Sequence, residues 1–409
     1  MNFSDDIKEG YAEREVVVRS FFTSEAGRLA ELCHRVAERF ARGGRLLAFG
    51  AGAAATDAQH VSVEFVHPVI VGKRALPALA LPNDAGSTLS LALGEGDSFF
   101  ARQLEVVGAS GDIALGMVHS EEDVGLPAVQ SALRHARSKG MLTIALSGPG
   151  FASEAPDYWF AVDSDDPFIV QEVHETLYHV LWELVHVFFD QKGLLQQRDK
   201  GETHDSGASS FLYPFLSEGQ SDLEEVLLGV ERSIIQKAED VIALRSGSLD
   251  ADGLSETARL ISERVAAGGK VLAFGNGGSA TDAQDLVVDL MVPPNGLQPI
   301  PAMSLTNDAA VVTAVANDVG FENIYSRQLI AYGNENDIAF AISTSGGSRN
   351  VLAAVEEASK RGLLTVALAG YGGGRLAEMC HRSHTVGGDY IPRIQEAQAT
   401  QYHSLRRLL

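Results

Sequence analysis

Two kinds of apolar pattern alternate along the 409 residues of the chain. Over 14–42, and again over 223–267, apolar positions recur at the 3.6-residue spacing of a helix. Each helical stretch leads into a short unbroken apolar run, Leu46–Phe49 or Val271–Phe274, and then into a glycine-rich turn. Unbroken runs of this length read as strands covered on both faces. Further runs at Ala78–Leu81, Ile113–Val118 and Thr143–Leu146 are answered by Ala302–Leu305, Ile338–Ser343 and Thr365–Leu368. Helical patterns fill the intervals. One helix is predicted to start near Thr56 and its counterpart near Thr281, and the stretches 168–190 and 392–408 read as closing helices. Strands alternating with helices predict an α/β fold: a parallel sheet flanked by helices on both faces, a flavodoxin/Rossmann-like three-layer sandwich.

The pattern occurs twice because the sequence does. GGRLLAFG at 43–50 is answered by GGKVLAFG at 268–275, an offset of 225, and GAGAAATDAQ at 50–59 by GNGGSATDAQ at 275–284. LPND at 81–84 matches LTND at 305–308, SGDIAL at 110–115 matches ENDIAF at 335–340, and Gln171-Glu172 matches Gln395-Glu396 at an offset of 224. So regular an offset means duplication. Two domains are expected, 1–190 and 222–409, joined by a linker over 191–221 rich in Gln, Asp, Gly and Ser. FLYPFL at 211–216 is too apolar to lie free and is expected to dock on a domain.

Charge narrows the function. A formal charge of −22 repels nucleic acid, so direct binding to DNA or RNA is not expected. It leaves room for small anions held by backbone amides. The start, MNFSDDIKEG, lacks a cationic-then-apolar leader, and no apolar run approaches membrane-spanning length. Two cysteines, Cys33 and Cys380, form no metal-type spacing. A cytoplasmic, reduced protein that does not engage membranes is the expectation.

The candidate chemistry differs between the copies. In the second, GNGGSATD (275–282) joins a strand to a helix; its glycines let amides close on an anion, and Ser279 adds a hydroxyl. A plain tight turn is the simpler alternative. A dinucleotide fingerprint through Gly275, Gly277 and Ala280 is disfavoured, because the nearest acidic candidate, Asp308, lies too far along. STSGGS (343–348) also follows a strand, where parallel sheets bind ligands. The first copy has Ala53, Ala54 and Ala55 in its first loop and His119-Ser120-Glu121-Glu122-Asp123 in its second, whose carboxylates would repel phosphate.

The first copy instead carries His60 and Glu64 four apart on one helix face, and Gln171 and His179 eight apart on the closing helix. Two histidines, a glutamate and a glutamine suit a divalent metal such as zinc, although an i,i+4 His/Glu pair is more often a solvated face. The second copy has Asp285, Asp289, Gln395 and His403 at the same places, shorter groups that would give a different geometry. His34, His135, His204, His381 and His384 read as surface or packing residues, and Asp57 and Asp282 as caps of helix amides.

With these residues in view, the chain resembles the sugar isomerase (SIS) domain, and within it the phosphoheptose isomerases. The resemblance covers nearly all of both copies and is carried by GNGGSATDAQ, NDVGFENIYSRQ (317–328), ISTSGGSRNV (342–351) and RIQEAQ (393–398). It implies that zinc is held by His60, Glu64, Gln171 and His179, with Glu64 and His179 acting as base and acid in aldose–ketose isomerisation. It implies phosphate contacts from Asn276, Ser279, Ser343, Thr344, Ser345 and Ser348, with Asp318 near the sugar. Two departures stand out: the family's arginine four residues after the glutamate is Pro68 (Pro293 in the second copy), and its aspartate three before the glutamine is Phe168 (Pro392). The implied reaction converts sedoheptulose 7-phosphate to a D-glycero-heptose 7-phosphate through an enediol. The rival is a non-catalytic protein that senses a sugar phosphate or associates with a replication initiator. Family members resemble tetramers of one-domain chains with sites at interfaces, so a homodimer carrying four domains is expected. The expected site is composite, phosphate on the second copy and metal on the first; the opposite combination, with Asp285 and Asp289 facing Glu121–Asp123, is expected to be dead.

Overall fold

The chain is described from a computed structural model, over residues 3–69, 73–151, 156–190, 194–195, 222–294 and 296–409. The expected docking segment 211–216 lies outside the described residues. The chain forms two compact units, Val16–Glu239 and Met1–Glu15 with Asp240–Leu409. Each is built on one five-stranded sheet whose strand pairs are all parallel.

In Val16–Glu239 the strands are β1 (Leu46–Phe49), β2 (Ala78–Ala80), β3 (Ile113–Met117), β4 (Leu142–Ser147) and β5 (Tyr158–Ala161), in the order β2-β1-β3-β4-β5. The other unit repeats this with β6 (Val271–Phe274), β7 (Ala302–Ser304), β8 (Ile338–Ser343), β9 (Leu364–Ala369) and β10 (Arg382–Thr385), in the order β7-β6-β8-β9-β10. This is the flavodoxin-like doubly wound order, whose switch point lies between the first and third strands. Both glycine/serine loops of the second copy follow the two strands at that point, β6 and β8.

The central strands are apolar throughout because both faces are covered. Leu272, Phe274, Ala339 and Ala341 pack to one side of the second sheet, Val271, Ala273, Ile338 and Phe340 to the other. Burying each large side chain contributes about 1.5–3 kcal/mol. The strands missing from the sequence reading are the edge strands β5 and β10, each of which buries a single residue, Phe160 or His384; Arg382–Thr385 is polar, whereas Tyr158–Ala161 is an apolar run that could have been read. The two edges are tied in alike. Asp157 accepts from the Thr143 amide and hydroxyl at 2.9 Å, whereas His381 Nδ1 meets the Thr365 amide at 3.1 Å and its hydroxyl at 2.7 Å.

Three boundaries correct the sequence reading. The helices after β1 and β6 span Ala53–Val66 and Gly278–Met291, starting three residues before Thr56 and Thr281. Their caps are Gly52 and Gly277, and Thr56 and Thr281 turn their hydroxyls back to the carbonyls of Ala53 and Gly278 at 2.6 Å. The helical stretch 223–267 is two helices, Leu223–Gly247 and Ala251–Ala266; the second is capped by Asp250, which accepts from the Gly253 amide. The closing helices are Pro167–Asp190 and Ile391–Leu408, and every residue from Pro167 to Phe188 is buried. No helix among the described residues is long and apolar enough to cross a membrane.

Candidate functional site

The serine loop of the second copy is shaped by close backbone approaches. Gly346 has φ +59°, and a Cβ there would lie 2.2 Å from the Gly373 carbonyl oxygen; on Gly275 it would lie 2.3 Å from that of Ser279. No larger residue fits either place. The folded loop brings three hydroxyls together: Ser343 Oγ is 3.5 Å from Ser345 Oγ and 3.4 Å from Ser348 Oγ, which are themselves 3.5 Å apart. These separations are long for O–H···O bonds, so the trio is better suited to a shared acceptor than to itself. Ser348 is the N-cap residue of the helix Arg349–Lys360, yet its side chain makes no cap bond. That helix end adds a positive dipole behind the hydroxyls.

The two loops are joined by an amide pair: Asn276 Nδ2 donates to Asn350 Oδ1 at 2.9 Å, and Asn350 Nδ2 donates to Asn276 Oδ1 at 2.7 Å. Tyr325 donates its hydroxyl to the Gly275 carbonyl, and burial pushes its phenol pKa well up. Asn350 and Tyr325 were missed by the sequence reading, although both lie inside the quoted segments. Ser279 is buried on the first turn of its helix, and Thr344 lies on the serine loop with its carbonyl oxygen against Gly370. Asp318 is exposed at the end of the helix Ala309–Asp318, where it accepts from Asn317 Nδ2 at 2.7 Å.

In the first copy the loop after β3 has taken another shape. Matching the buried positions of the following helices pairs Ala128-Val129 with Asn350-Val351. From Val118 to Ala128 is ten steps and from Ser343 to Asn350 is seven, so this loop is three residues longer. Ala51 and Ala128 stand where Asn276 and Asn350 form their pair, and Phe100 stands for Tyr325. His119 turns inward, its Nε2 2.7 Å from Asp57 Oδ2. Asp57 therefore does not cap helix amides as its TDAQ segment suggested; it lies inside the helix and reaches across to the loop.

His60, Glu64 and His179 lie together, all buried. His60 Nε2 is 3.4 Å from His179 Nε2 and 3.8 Å from Glu64 Oε1. Two imidazole nitrogens at that separation make a poor hydrogen bond. It nearly matches the roughly 3.3 Å edge of a tetrahedron with metal–ligand bonds of ~2.0–2.1 Å. Burial, and then the neighbouring His179, hold His60 well below its ordinary pKa, so it is the neutral imidazole a metal requires. The donor set fits a borderline cation such as zinc. Gln171 Nε2 donates to Asp57 Oδ1 at 3.4 Å, and its Oε1 is the atom chemically able to ligate. Tyr178, absent from the sequence reading, joins the cluster, its hydroxyl 3.1 Å from His60 Nδ1 and 3.4 Å from Asp57 Oδ1.

The second copy holds a related but different cluster. His403 Nε2 lies 3.4 Å from Asp285 Oδ2 and 3.6 Å from Asp289 Oδ2. Tyr402 donates to Asp285 Oδ2 at 2.8 Å, and Arg406, the counterpart of Trp182, donates to the Asp289 carbonyl oxygen at 2.7 Å. A fixed cation thus stands beside the acidic pair.

The SIS domain family model matches residues 11–148 and 237–370, one match in each copy. The chain belongs to the SIS domain family. A phosphoheptose isomerase of Desulfovibrio desulfuricans is 46% identical over 156 residues, 38% of this chain and 74% of that protein. One from Rhodospirillum rubrum is 41% identical over 179 residues, 42% of this chain and 92% of that protein. These relatives each match less than half of this tandem SIS chain. Among solved structures, the C-terminal domain of glucosamine-fructose-6-phosphate aminotransferase from Francisella tularensis superposes with a TM-score of 0.55 at 10% identity. It covers 97% of this chain and 93% of its own, so the tandem SIS fold is shared along nearly the whole length.

Proposed function

We propose that the protein is a metal-assisted phosphosugar isomerase, converting sedoheptulose 7-phosphate to a D-glycero-heptose 7-phosphate, with its two chemistries divided between the copies. The observation that carries this is their complementarity. Among the described residues, the Ser343, Ser345 and Ser348 hydroxyls converge in the second copy, where a phosphate would be held, and the two-histidine, one-glutamate set lies in the first. Random decay would not leave one complete set of each.

Isomerisation moves a proton between adjacent carbons. Glu64 takes a proton from C1 of the ketose, leaving an enediolate with its charge on O2; His179 carries the O1 hydroxyl proton to O2, and Glu64 returns its proton to C2, leaving the aldehyde at C1. A cation held by His60, Glu64, Gln171 and His179 would supply positive charge at the oxygens where the enediolate forms. The buried surroundings of His60 and Glu64 strengthen that attraction. Two chains are proposed to pair as a homodimer carrying four SIS domains. Light scattering should give the mass of a dimer, and a stable monomer at micromolar concentration would count against it.

The test is conversion of sedoheptulose 7-phosphate by the full chain, followed through formation of the aldose. Activity should disappear on treatment with a strong chelator and return with zinc. Tight binding of the sugar phosphate without conversion, in metal-loaded protein, would instead make the chain a sensor.

A further inference from the structure

The loop that gave up the serine trio has acquired a histidine, and what that histidine touches leads to the metal cluster. His119 replaces Thr344 of the other copy, and the backbones correspond: a Cβ on Gly148 would lie 2.6 Å from the His119 carbonyl oxygen, as one on Gly370 would lie 2.2 Å from that of Thr344. Only the side chain is new. From it a chain of contacts runs His119 Nε2 to Asp57 Oδ2 (2.7 Å), Asp57 Oδ1 to the Tyr178 hydroxyl (3.4 Å), and that hydroxyl to His60 Nδ1 (3.1 Å). All four residues are buried.

The direction of the donors decides what such a chain does. A carboxylate only accepts. Asp57 therefore takes a hydrogen from His119 on Oδ2, and its Oδ1 faces both Gln171 Nε2 and the Tyr178 hydroxyl at 3.4 Å. That hydroxyl has one hydrogen and two acceptors in reach, Asp57 Oδ1 at 3.4 Å and His60 Nδ1 at 3.1 Å; a metal on His60 Nε2 requires the arrangement in which the hydrogen goes to the Asp57 carboxylate and the Tyr178 oxygen accepts from His60 Nδ1–H. The neutral imidazole then carries its single hydrogen on Nδ1, and Nε2 presents its lone pair toward Glu64 and His179. With the opposite tautomer Nε2 would bear a hydrogen and could not ligate. The second copy has no such need: Tyr402 donates directly to Asp285, a carboxylate with no tautomer to set, and Thr344 stands where His119 would.

We infer that His119, Asp57 and Tyr178 are positioning residues that fix the His60 tautomer, and that the former phosphate loop of the first copy has been converted into outer support for a divalent cation. This rests on the reading that His60, Glu64 and His179 hold a metal. Outer partners of metal-bound histidines typically change metal affinity about 10–100-fold.

The experiment measures metal affinity rather than turnover. Zn2+ and Co2+ are titrated against a competing chelator into the full chain and its Tyr178→Phe, Asp57→Asn and His119→Asn variants, with the visible spectrum of the cobalt form and thermal melting recorded alongside. Tyr178→Phe and Asp57→Asn should each weaken binding at least tenfold and alter the cobalt spectrum, and the double variant should lose little more than either alone, because both act through one chain. His119→Asn, on the loop, should lose less, in the same direction. Tyr402→Phe should leave binding at the His60 cluster unchanged. If the unaltered protein binds neither metal, the metal reading fails and this inference with it. If it binds metal but the variants bind equally well, or if the Tyr178 and Asp57 losses simply add, the relay alone is overturned.

Discussion

Where Asn276 and Asn350 exchange amide bonds in one copy, the other has Ala51 and Ala128; where Tyr325 donates to the turn, it has Phe100; where three serines converge, it has a loop three residues longer that sends His119 inward. At the closing helix the contrast runs the other way. The first copy sets His60, Glu64 and His179 together, and the second sets Asp285, Asp289 and His403 beside Arg406, whose counterpart in the first copy is Trp182. The sheets carrying these sites have the same strand order. Fold and chemistry have therefore been kept by different residues. The buried strand faces hold the sheet, and a handful of loop and helix positions, free to change without disturbing it, hold the function.

The sharpest way to break the comparison is to treat matching positions alike. Glu64→Gln removes the proposed base and a metal ligand with almost no change of shape, and turnover should fall at least about 100-fold. Phosphate affinity, measured with a non-reacting sugar phosphate, should change little. A comparable fall in both would mean that the two functions are not divided. The next effect belongs to the other copy. Charge-assisted hydrogen bonds to phosphate contribute about 1.5–3 kcal/mol each, so Ser343→Ala with Ser345→Ala should weaken sugar-phosphate binding at least about tenfold. Ser120→Ala, in the lengthened loop, should leave it unchanged; equal losses would remove the distinction.

A third substitution tests where the copies should agree. Asp112 accepts from the Arg45 amide at 2.8 Å and the Ala109 amide at 2.9 Å; Asp337 accepts from the Lys270 and Asn334 amides at 2.9 Å. Each also pairs with the side chain of the residue before the neighbouring strand β1 or β6, Arg45 at 2.7 Å or Lys270 at 2.6 Å. Replacing either aspartate by alanine should cost about 2–3 kcal/mol in chemical denaturation, without a direct effect on turnover. A large difference between the two would mean that the sheets are not equivalently built.

How much of this could be read in the sequence depended on what each residue does for itself. The apolar runs of β1, β3, β4 and their counterparts announce themselves because both faces are buried. Arg382–Thr385 does not, since it is polar and is held by a neighbouring strand and by Thr365 contacts to His381 that no local pattern encodes; Tyr158–Ala161, an edge strand, carries its signal in the aromatic run itself. His60, Glu64 and His179 were legible from spacing and resemblance. Tyr178 and Asp57 were not, because a carboxylate in a repeated TDAQ reads as a cap until the loop carrying His119 is seen to fold onto it. The available signal was the repeat itself: a tyrosine precedes the histidine in both copies, Tyr178-His179 and Tyr402-His403.

The smallest expected effect on turnover separates the two clusters most cleanly. Asp289 occupies the place of Glu64, and position alone would make it catalytic. Its surroundings argue otherwise. Arg406 donates to the Asp289 carbonyl oxygen at 2.7 Å and to that of Gln298 at 2.8 Å, and the Asp289 charge favours the arginine's charged form against its burial. A guanidinium cannot lose its proton to make way for a metal, so it opposes a second cation in the same cluster. Asp289 accordingly has a fixed positive charge for a neighbour. Asp289→Asn should change turnover by less than about threefold, because no reacting carbon is served by it. It should still lower stability by about 1–3 kcal/mol, because a buried cation loses an anion. A fall in kcat as deep as that of Glu64→Gln, with stability intact, would transfer the catalytic role to the second copy's cluster and overturn the division of labour between the two.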